Sequence, residues 1–214
     1  MKNQLIKKIK ITTILNLTTG LHIGGSSDNV EIGGIDKTII RRSKDNVPYI
    51  PGSSLKGKIR SLLEQIAGCS EVGGNMDIND LFGFAKENKP SKLIVRDSYM
   101  TKESKKLLEE SEYLDLPYTE VKFENTILRD TGTATNPRKI ERIPGGVAFN
   151  VEFIINVWDN DVDGKKSYDL LLKGIEALKN DYLGGSGSRG YGQVSFGELH
   201  IDEISFEKYF VDEN

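Results

Sequence analysis

The chain has 214 residues, of which 37% are hydrophobic and 29% charged, a composition typical of a globular domain and not of a disordered one. Its single cysteine, Cys69, excludes a disulfide framework and a cysteine-rich zinc site. No apolar run approaches the roughly 20 residues of a membrane-spanning helix, and residues 1–15 lack the apolar core of a signal peptide. These features predict one soluble domain in the cytoplasm, without a membrane partner.

The positive charges are clustered along the chain. The net charge is −3, from 29 Lys and Arg against 32 Asp and Glu, so the chain as a whole is not a general coat for nucleic acid. Three short stretches nevertheless concentrate basic residues, at 37–44, 56–60 and 138–142. Such local stripes on a mildly acidic chain favour a polyanion bound along a defined track, with plain solvated surface as the alternative.

The first half of the chain contains the pattern of a strand, a helix and a short strand. Residues 8–18 alternate apolar and polar side chains, which predicts a half-buried strand. Residues 54–67 change to helical spacing, with Ser53 or Ser54 as the expected N-cap. A short strand is predicted at 92–98.

The second half repeats this pattern. Residues 147–158 alternate without a break, residues 167–181 return to helical spacing, and a strand pair is expected over 191–206. The order β-α-β-β-α-β predicts an α+β domain with the ferredoxin-like plan that RRM-type RNA-binding domains share. Three further stretches are too long for plain connections and are interpreted as insertions. They are residues 19–53, 68–91 and 99–146, the last with a short helix at 101–112.

The segment PGSSLKGKIR at residues 51–60 nearly matches a phosphate-binding P-loop. Ile59 stands where a Ser or Thr would bind magnesium, and Gly57 and Lys58 fall inside the predicted helix, which argues against a nucleoside triphosphatase. The start of this helix still suits a nucleic-acid phosphate, because N–H groups and cations meet there. The residues concerned are Ser53, Ser54, Lys56, Lys58 and Arg60.

A second candidate contact with RNA is the glycine-rich segment DYLGGSGSRGYGQ at residues 181–193. Its five glycines allow a ligand to approach the backbone closely, and Arg189 adds positive charge. The segment follows a helix and precedes a strand, which is the reverse of a Rossmann fingerprint. An RNA-backbone contact is favoured over the alternative, a flexible linker.

The segment GLHIGGSSDNVEIGGID at residues 20–36 places three carboxylates and His22 among five glycines. Carboxylate oxygens suit a divalent metal, whereas the rigid carboxylate pair of a glycosidase does not fit so glycine-rich a loop. A two-histidine nuclease mechanism would require His22 and His200 to converge, and His200 is interpreted as structural. The carboxylates are Asp28, Glu31 and Asp36.

Residues 118–146 begin with a strand pattern, continue as a Thr- and Asn-rich excursion and end in a basic cluster. This pattern predicts a long hairpin. Such a hairpin could be an arm between subunits or across a duplex, and a polar surface hairpin is the alternative.

Taken together, these segments resemble the repeated backbone subunit of the type III-A CRISPR effector, the Csm complex. The matching words are, in chain order, TGLHIGGS, GGID, IPGSSLKGKIR, LFG, YTEVKFENTI, NPRKIER and DYLGGSGSRGYG, which span residues 19–193. The resemblance implies an RRM-like palm with inserted lid, helical and thumb regions, matching the three insertions. It also implies several copies in a filament along one CRISPR RNA guide, with complementary target RNA and the large signature, small and end-capping subunits as further partners.

By the same resemblance, each copy cleaves target RNA with a divalent metal, Mg²⁺ or Mn²⁺, and with the acidic loop residue Asp36. A lone carboxylate holds a metal weakly, so we expect this site to form only with bound RNA, and we expect the 2′-hydroxyl of the target as nucleophile. The chain lacks the cysteines by which some relatives hold zinc in the helical insertion, so no structural zinc is expected. Beside Ser53 and Ser54 at the start of the helix, the resemblance assigns RNA contacts to His22, Lys56, Lys58, Arg60, Gly185, Ser186, Gly187, Ser188 and Arg189, and to Arg129, Arg138 and Arg142 in the thumb.

Two alternatives stay open on the sequence. The first is a guide-binding structural subunit without cleavage, against which Asp36 on its glycine-flanked loop argues. The second is a stand-alone endonuclease that processes CRISPR precursor RNA, which the thumb segment and the lack of a second catalytic histidine disfavour.

Overall fold

An antiparallel sheet built around two long strands forms the centre of the protein, in a computed structural model that describes residues 4–25, 34–161 and 163–206. Strands β1 and β7 pair over most of their length, with Ile11 opposite Phe153. The strands are β1 (Leu5–Leu17), β2 (Tyr49–Ile50), β3 (Leu93–Val95), β4 (Ser98–Met100), β5 (Glu120–Ile127), β6 (Ala134–Arg142), β7 (Ala148–Trp158), β8 (Val194–Phe196) and β9 (His200–Ser205). The helices are α1 (Gly52–Ile66), α2 (Met76–Phe82), α3 (Lys102–Glu109) and α4 (Lys165–Lys179), with single 3₁₀ turns at Ala85–Glu87 and Gly187–Arg189.

The order of the strands confirms the ferredoxin-like plan. The main sheet runs β2-β4-β7-β1-β8, with β3 also on β7 and β9 also on β1. Each of the two long strands is followed by a helix that crosses over the sheet, as in a β-α-β-β-α-β fold. The alternation of β1 and β7 buries one set of side chains completely, among them Ile11, Leu15, Phe149 and Phe153.

Helices α1 and α4 cover one face of this sheet. Their apolar stripes are buried, as the helical spacing of the sequence predicts, except for Ile66 at the end of α1, which is 72% exposed. The helices approach closely at Gly174, where an added Cβ would lie 2.4 Å from Cγ2 of Ile59. The other face of the sheet is an open groove lined by polar residues such as Thr12, Tyr99 and His200.

The remaining elements lie in the three stretches interpreted as insertions. Residues 68–91 contain α2 and a 3₁₀ turn, and residues 99–146 contain α3 and the hairpin β5–β6, a separate two-stranded sheet. Residues 19–53 contribute β2 and several isolated bridges, including Gly24 to Ile39. The domain boundaries drawn on the sequence stay a prediction.

Two local expectations were wrong. The strand expected at 92–98 is interrupted, because Asp97 leaves the sheet between β3 and β4 and accepts a hydrogen bond from the Gly52 N–H (2.8 Å). The N-cap of α1 is Pro51 and not a serine, and no side chain of the cap residue itself bonds the helix. A carboxylate from a distant segment therefore takes the place of the expected serine. No helix in the described ranges is long and apolar enough to cross a membrane.

Candidate RNA-binding and cleavage site

Asp36, the predicted cleavage residue, lies against the hairpin β5–β6. The outer edge of β6 pairs with the segment that begins at Asp36. The Asp36 N–H donates to the Lys139 carbonyl oxygen (3.1 Å), and the Lys139 N–H donates to Oδ2 of Asp36 (2.6 Å). Lys37, the residue after Asp36, accepts a hydrogen bond at its carbonyl oxygen from the Glu141 N–H (3.0 Å). These bonds fix the backbone on which Asp36 lies while its side chain remains exposed.

His22 is buried between the same strand and the glycine-rich segment. Its Nδ1 donates to the Glu141 carbonyl oxygen (2.7 Å), and only 9% of the residue is exposed. Its own carbonyl oxygen accepts from the Gly185 N–H (2.8 Å). At Gly184 an added Cβ would lie 2.3 Å from that oxygen, so this approach requires glycine. The structure therefore brings His22, Gly185 and the Asp36 segment together around β6.

The glycine-rich segment forms a tight turn beside the end of α4. Gly187 is required there because an added Cβ would lie 1.9 Å from the Tyr182 ring. An open groove of about 540 Å³ follows this turn and is lined by Thr19, Tyr182 and Ser188. Gly185, Ser186 and Gly187 are half-buried, whereas Ser188 and Arg189 are exposed. The turn is thus a backbone-rich surface that a ligand can reach.

Lys58 connects the predicted phosphate site on α1 to this turn. Its Nζ lies 3.3 Å from Oδ1 of Asp181 and 3.7 Å from the centre of the Tyr182 ring. Ser53 is exposed and Ser54 half-buried in the first turn of α1. The predicted contacts on α1 and in the glycine-rich segment therefore meet at Lys58.

Lys56 and Arg60 face protein acceptors. Nζ of Lys56 donates to Oγ of Ser91 (2.6 Å) and to the Leu93 carbonyl oxygen (2.7 Å). Burial, with a contribution from the neighbouring Arg60 charge, lowers the pKa of Lys56. Arg60 donates to Glu64 on its own helix and to the α2 region. Both side chains hold α1 against neighbouring segments of the protein.

The other face of the hairpin is attached to the glycine-rich segment by Glu124 on β5. The Tyr191 hydroxyl donates to Oε1 of Glu124 (2.8 Å), and Nη1 of Arg189 donates to Oε2 (2.9 Å). Tyr191 is 1% exposed, and the centre of its ring lies 4.4 Å from Nζ of Lys122 and 4.9 Å from Cζ of Arg142. These cation–π contacts and hydrogen bonds fasten the hairpin to the segment that carries Arg189.

The ionisation states of Glu124 and Tyr191 are set by their burial and their partners. Burial alone would raise the pKa of Glu124, but the hydrogen bonds from Tyr191 and Arg189 outweigh it and lower that pKa. Burial and the hydrogen bond to Glu124 raise the pKa of Tyr191 to about 12. The pair is therefore a carboxylate with a neutral phenol at physiological pH.

The hairpin also carries the remaining predicted arginines. Arg129 is exposed in the turn between β5 and β6. Arg138 lies opposite Glu124 in the strand register and is half-buried, and its Nε has no hydrogen-bond partner among the residues described. Arg142 donates through Nε to Oε1 of Glu120 (2.6 Å).

Two structurally important glutamates were missed on the sequence. Glu124 and Glu141 were part of a predicted hairpin, but nothing marked them as contacts to other segments. A signal was available in the hairpin itself: Glu124 lies opposite Arg138 in the register, and Glu141 is next to Arg142 in the sequence. Asp28 and Glu31, the other two carboxylates of the acidic loop, lie outside the described residues.

A metal at Asp36 would need ligands from outside this chain. No group of three His, Cys, Asp or Glu side chains that could hold a metal occurs in the described part of the chain. An exposed carboxylate with one oxygen already bonded fits a cation whose other ligands come from RNA and water.

Comparison with known proteins identifies the family of the chain. The model of the RAMP superfamily matches residues 14–195. The CRISPR system Cms endoribonuclease Csm3 of Streptococcus thermophilus is 42% identical over 92% of this chain and 90% of its own length. Its counterpart from Methanothermobacter thermautotrophicus is 40% identical over 95% and 89%.

Solved structures show the same fold. A chain from the crystal structure of the Csm3-Csm4 subcomplex in the type III-A CRISPR-Cas interference complex is 28% identical, with a TM-score of 0.61 over 96% of this chain and 84% of its own. A chain from the type III-B Cmr-beta bound to cognate target RNA is 18% identical, with a TM-score of 0.65 over 91% and 61%, and supports the fold alone. The chain therefore belongs to the RAMP superfamily and, within it, to the family of the CRISPR system Cms endoribonucleases Csm3.

Proposed function

We propose that the chain is the guide-binding backbone subunit of a type III-A CRISPR interference complex and that it cleaves complementary target RNA. The observation that carries this proposal is the convergence on β6 of the exposed Asp36 and the buried His22. Its partners would be the CRISPR RNA guide, target RNA, further copies of the chain and the other subunits of the complex, in the cytoplasm. Endoribonuclease relatives about 40% identical over nearly the whole chain support the same activity.

The guide would follow the surface from α1 to the glycine-rich segment. Lys58 lies beside the groove at that segment, and the half-buried Gly185, Ser186 and Gly187 precede its exposed end. Backbone N–H groups and a cation suit phosphates, which position RNA without reading its sequence. The proposed contacts are His22, Ser53, Ser54, Lys58, Gly185, Ser186, Gly187, Ser188 and Arg189. Lys56 and Arg60 would not bond the guide directly, because their donors already have protein acceptors.

The thumb hairpin would meet the RNA beside this track. Arg129 is exposed in its turn, and Arg138 and Arg142 lie on the same face of β6. We propose that these arginines contact the RNA where guide and target pair. The attachment of the hairpin through Glu124 supports this placement, because it sets Arg138 and Arg142 next to the glycine-rich segment.

Asp36 would act as the one protein ligand of a divalent cation, Mg²⁺ or Mn²⁺. Such a cation stabilises the negative charge that develops at a scissile phosphate. The chain's own contribution is to hold the carboxylate at a fixed place on β6, through the two bonds to Lys139. The target's 2′-hydroxyl is the proposed nucleophile. The absence of a structural zinc stays a prediction.

The test is target cleavage by the assembled complex with Asp36→Asn, with and without Mg²⁺. We expect guide loading and target binding to stay within about twofold, and cleavage to fall at least about 100-fold, a loss of roughly 2.7 kcal/mol of transition-state stabilisation. Asp130→Asn, an exposed carboxylate in the hairpin turn, is the matched control and should cleave normally. Full cleavage by the Asp36→Asn complex would refute the catalytic assignment and leave a structural guide-binding subunit.

A further inference from the structure

Glu141 is a buried carboxylate that the proposed reaction does not use directly. Only 3% of the residue is exposed, and both side-chain oxygens have protein donors. Oε1 accepts from Nη2 of Arg41 (2.5 Å) and from Oγ1 of Thr119 (2.8 Å). Oε2 accepts from the Ile39 N–H (3.0 Å). A carboxylate so deeply buried is costly unless it is paired and fully hydrogen-bonded, and here it is both.

Two of these three donors, Ile39 and Arg41, belong to the segment that begins at Asp36. Ile39 and Arg41 follow Asp36 by three and five residues, and the same segment is bonded to β6 by the backbone of Glu141. The Glu141 carbonyl oxygen also accepts from Nδ1 of His22. One residue of β6 therefore contacts both the Asp36 segment and His22.

Arg41 extends this contact to the base of the hairpin. Its Nη1 donates to the carbonyl oxygens of Asn46 (2.8 Å) and Pro117 (3.1 Å), and its Nη2 reaches Thr119 as well as Glu141. The planar fork thus joins the Asp36 segment to the residues just before β5, a geometry that an ammonium group does not reproduce.

We infer that Glu141, paired with Arg41, is a positioning residue that fixes where the Asp36 carboxylate lies beside the bound RNA. The inference rests on the proposed function, because it requires Asp36 to act in cleavage. Glu141 itself does not touch RNA or metal. Partners that orient a metal-binding side chain commonly change metal affinity or activity by about 10- to 100-fold when they are removed.

Glu141→Gln is the variant that separates positioning from packing. It keeps the size of the side chain but replaces one acceptor oxygen by an NH₂ group, which cannot accept from Ile39 or Arg41. Glu152→Gln is the control for the loss of an arginine-paired carboxylate, since Glu152 on β7 pairs with Arg96 (3.6 Å) but is more exposed and lies on the main sheet and not on the hairpin.

The assay uses the assembled complex with saturating complementary RNA and measures the single-turnover cleavage rate over a range of Mn²⁺ concentrations. For Glu141→Gln we expect the rate to fall about tenfold or more, and half-maximal cleavage to need several times more Mn²⁺, with guide loading and target binding unchanged. In an Asp36→Asn background, Glu141→Gln should cause no further loss, because it acts through Asp36. Glu152→Gln should keep the wild-type rate and metal dependence.

Thr119→Val is a second variant, which removes one donor to Oε1 of Glu141 with little change of shape and tests the inference if Glu141→Gln does not assemble. It should raise the Mn²⁺ requirement to a smaller extent. Wild-type rate and metal dependence in an assembled Glu141→Gln complex would overturn the inference while leaving the Asp36 assignment intact. A parallel loss of guide loading and cleavage with unchanged metal dependence, or failure of both variants to assemble, would also overturn it. Full cleavage by Asp36→Asn would overturn the catalytic part of the proposed function and the inference together.

Discussion

Arg60→Ala should destabilise the fold and leave the guide contacts nearly unchanged. The guanidinium bonds three acceptors: Oε1 of Glu64 (2.9 Å), the Gly83 carbonyl oxygen (2.8 Å) and Oδ1 of Asn79 (3.1 Å). Glu64 in turn accepts from the Gly73 N–H (3.3 Å). Arg60 is therefore the centre of a network that joins α1 to α2 and its flanking turns.

The magnitude follows from what the deletion leaves behind. The side chains of Arg60 and Glu64 are 19% and 11% exposed, so truncation leaves a mostly buried carboxylate without its cation. Breaking a fully buried pair costs about 3–5 kcal/mol. Because this pair retains some solvent contact, we expect a loss of about 2–4 kcal/mol in the free energy of unfolding. Adding Glu64→Gln should recover part of it, since the unpaired charge is then removed.

Urea unfolding measures the loss of stability in Arg60→Ala, and the salt dependence of guide-RNA binding shows whether its guide contacts are unchanged. A plot of log K against log salt has a negative slope, and each lost phosphate contact makes it shallower by roughly 0.7 for a single strand. Arg60→Ala should leave this slope unchanged. Lys58→Ala is the comparison variant and should make the slope shallower. It should change stability little, because the partly exposed pair of Lys58 with Asp181 contributes only about 0–1 kcal/mol. An Arg60→Ala protein of normal stability with a reduced slope would show that Arg60 contacts the guide, contrary to this reasoning.

Two further predictions concern the glycine-rich segment. Tyr191→Phe removes the hydroxyl that donates to Glu124 and should cost about 1–3 kcal/mol in urea unfolding at pH 7. Because the pKa of Glu124 is lowered in the fold, its contribution is present above the unfolded value of about 4.3 and is lost as pH falls through the folded value, so this difference should shrink below about pH 4. Gly187→Ala places a Cβ against the Tyr182 ring and should weaken guide binding more than it lowers the stability of the core, as measured by RNA titration and thermal unfolding.

The regular elements could be predicted because their signals are local. The period-two alternation of β1 and β7 and the helical stripes of α1 and α4 are written in consecutive residues, and the structure confirms them within a few residues. The interruption at Asp97 could not be found this way. It depends on a bond to Gly52, 45 positions earlier in the chain.

The same limit applies to the site. The chemistry of Asp36 and of the glycine-rich segment was suggested by their residue types and by the resemblance. The contacts made by Glu124 and Glu141 could not be predicted, because they join residues far apart in the chain. Glu124 and Tyr191 are 67 positions apart, and Glu141 and Ile39 are 102 positions apart. A glutamate inside a charged hairpin has no sequence mark that separates such a role from an exposed one.

The alternation of β6 explains how one strand serves two sites. Neighbouring residues of a strand point to opposite faces, so Arg142 lies against Tyr191 while Glu141 faces Arg41 and Ile39. One face of the hairpin is thus attached to the proposed guide surface, and the other to the segment that carries the proposed cleavage residue. A shift of the hairpin along its length would move both contacts together. In the proposed function, the strand would therefore set the distance between the guide surface and Asp36, because the same backbone holds both.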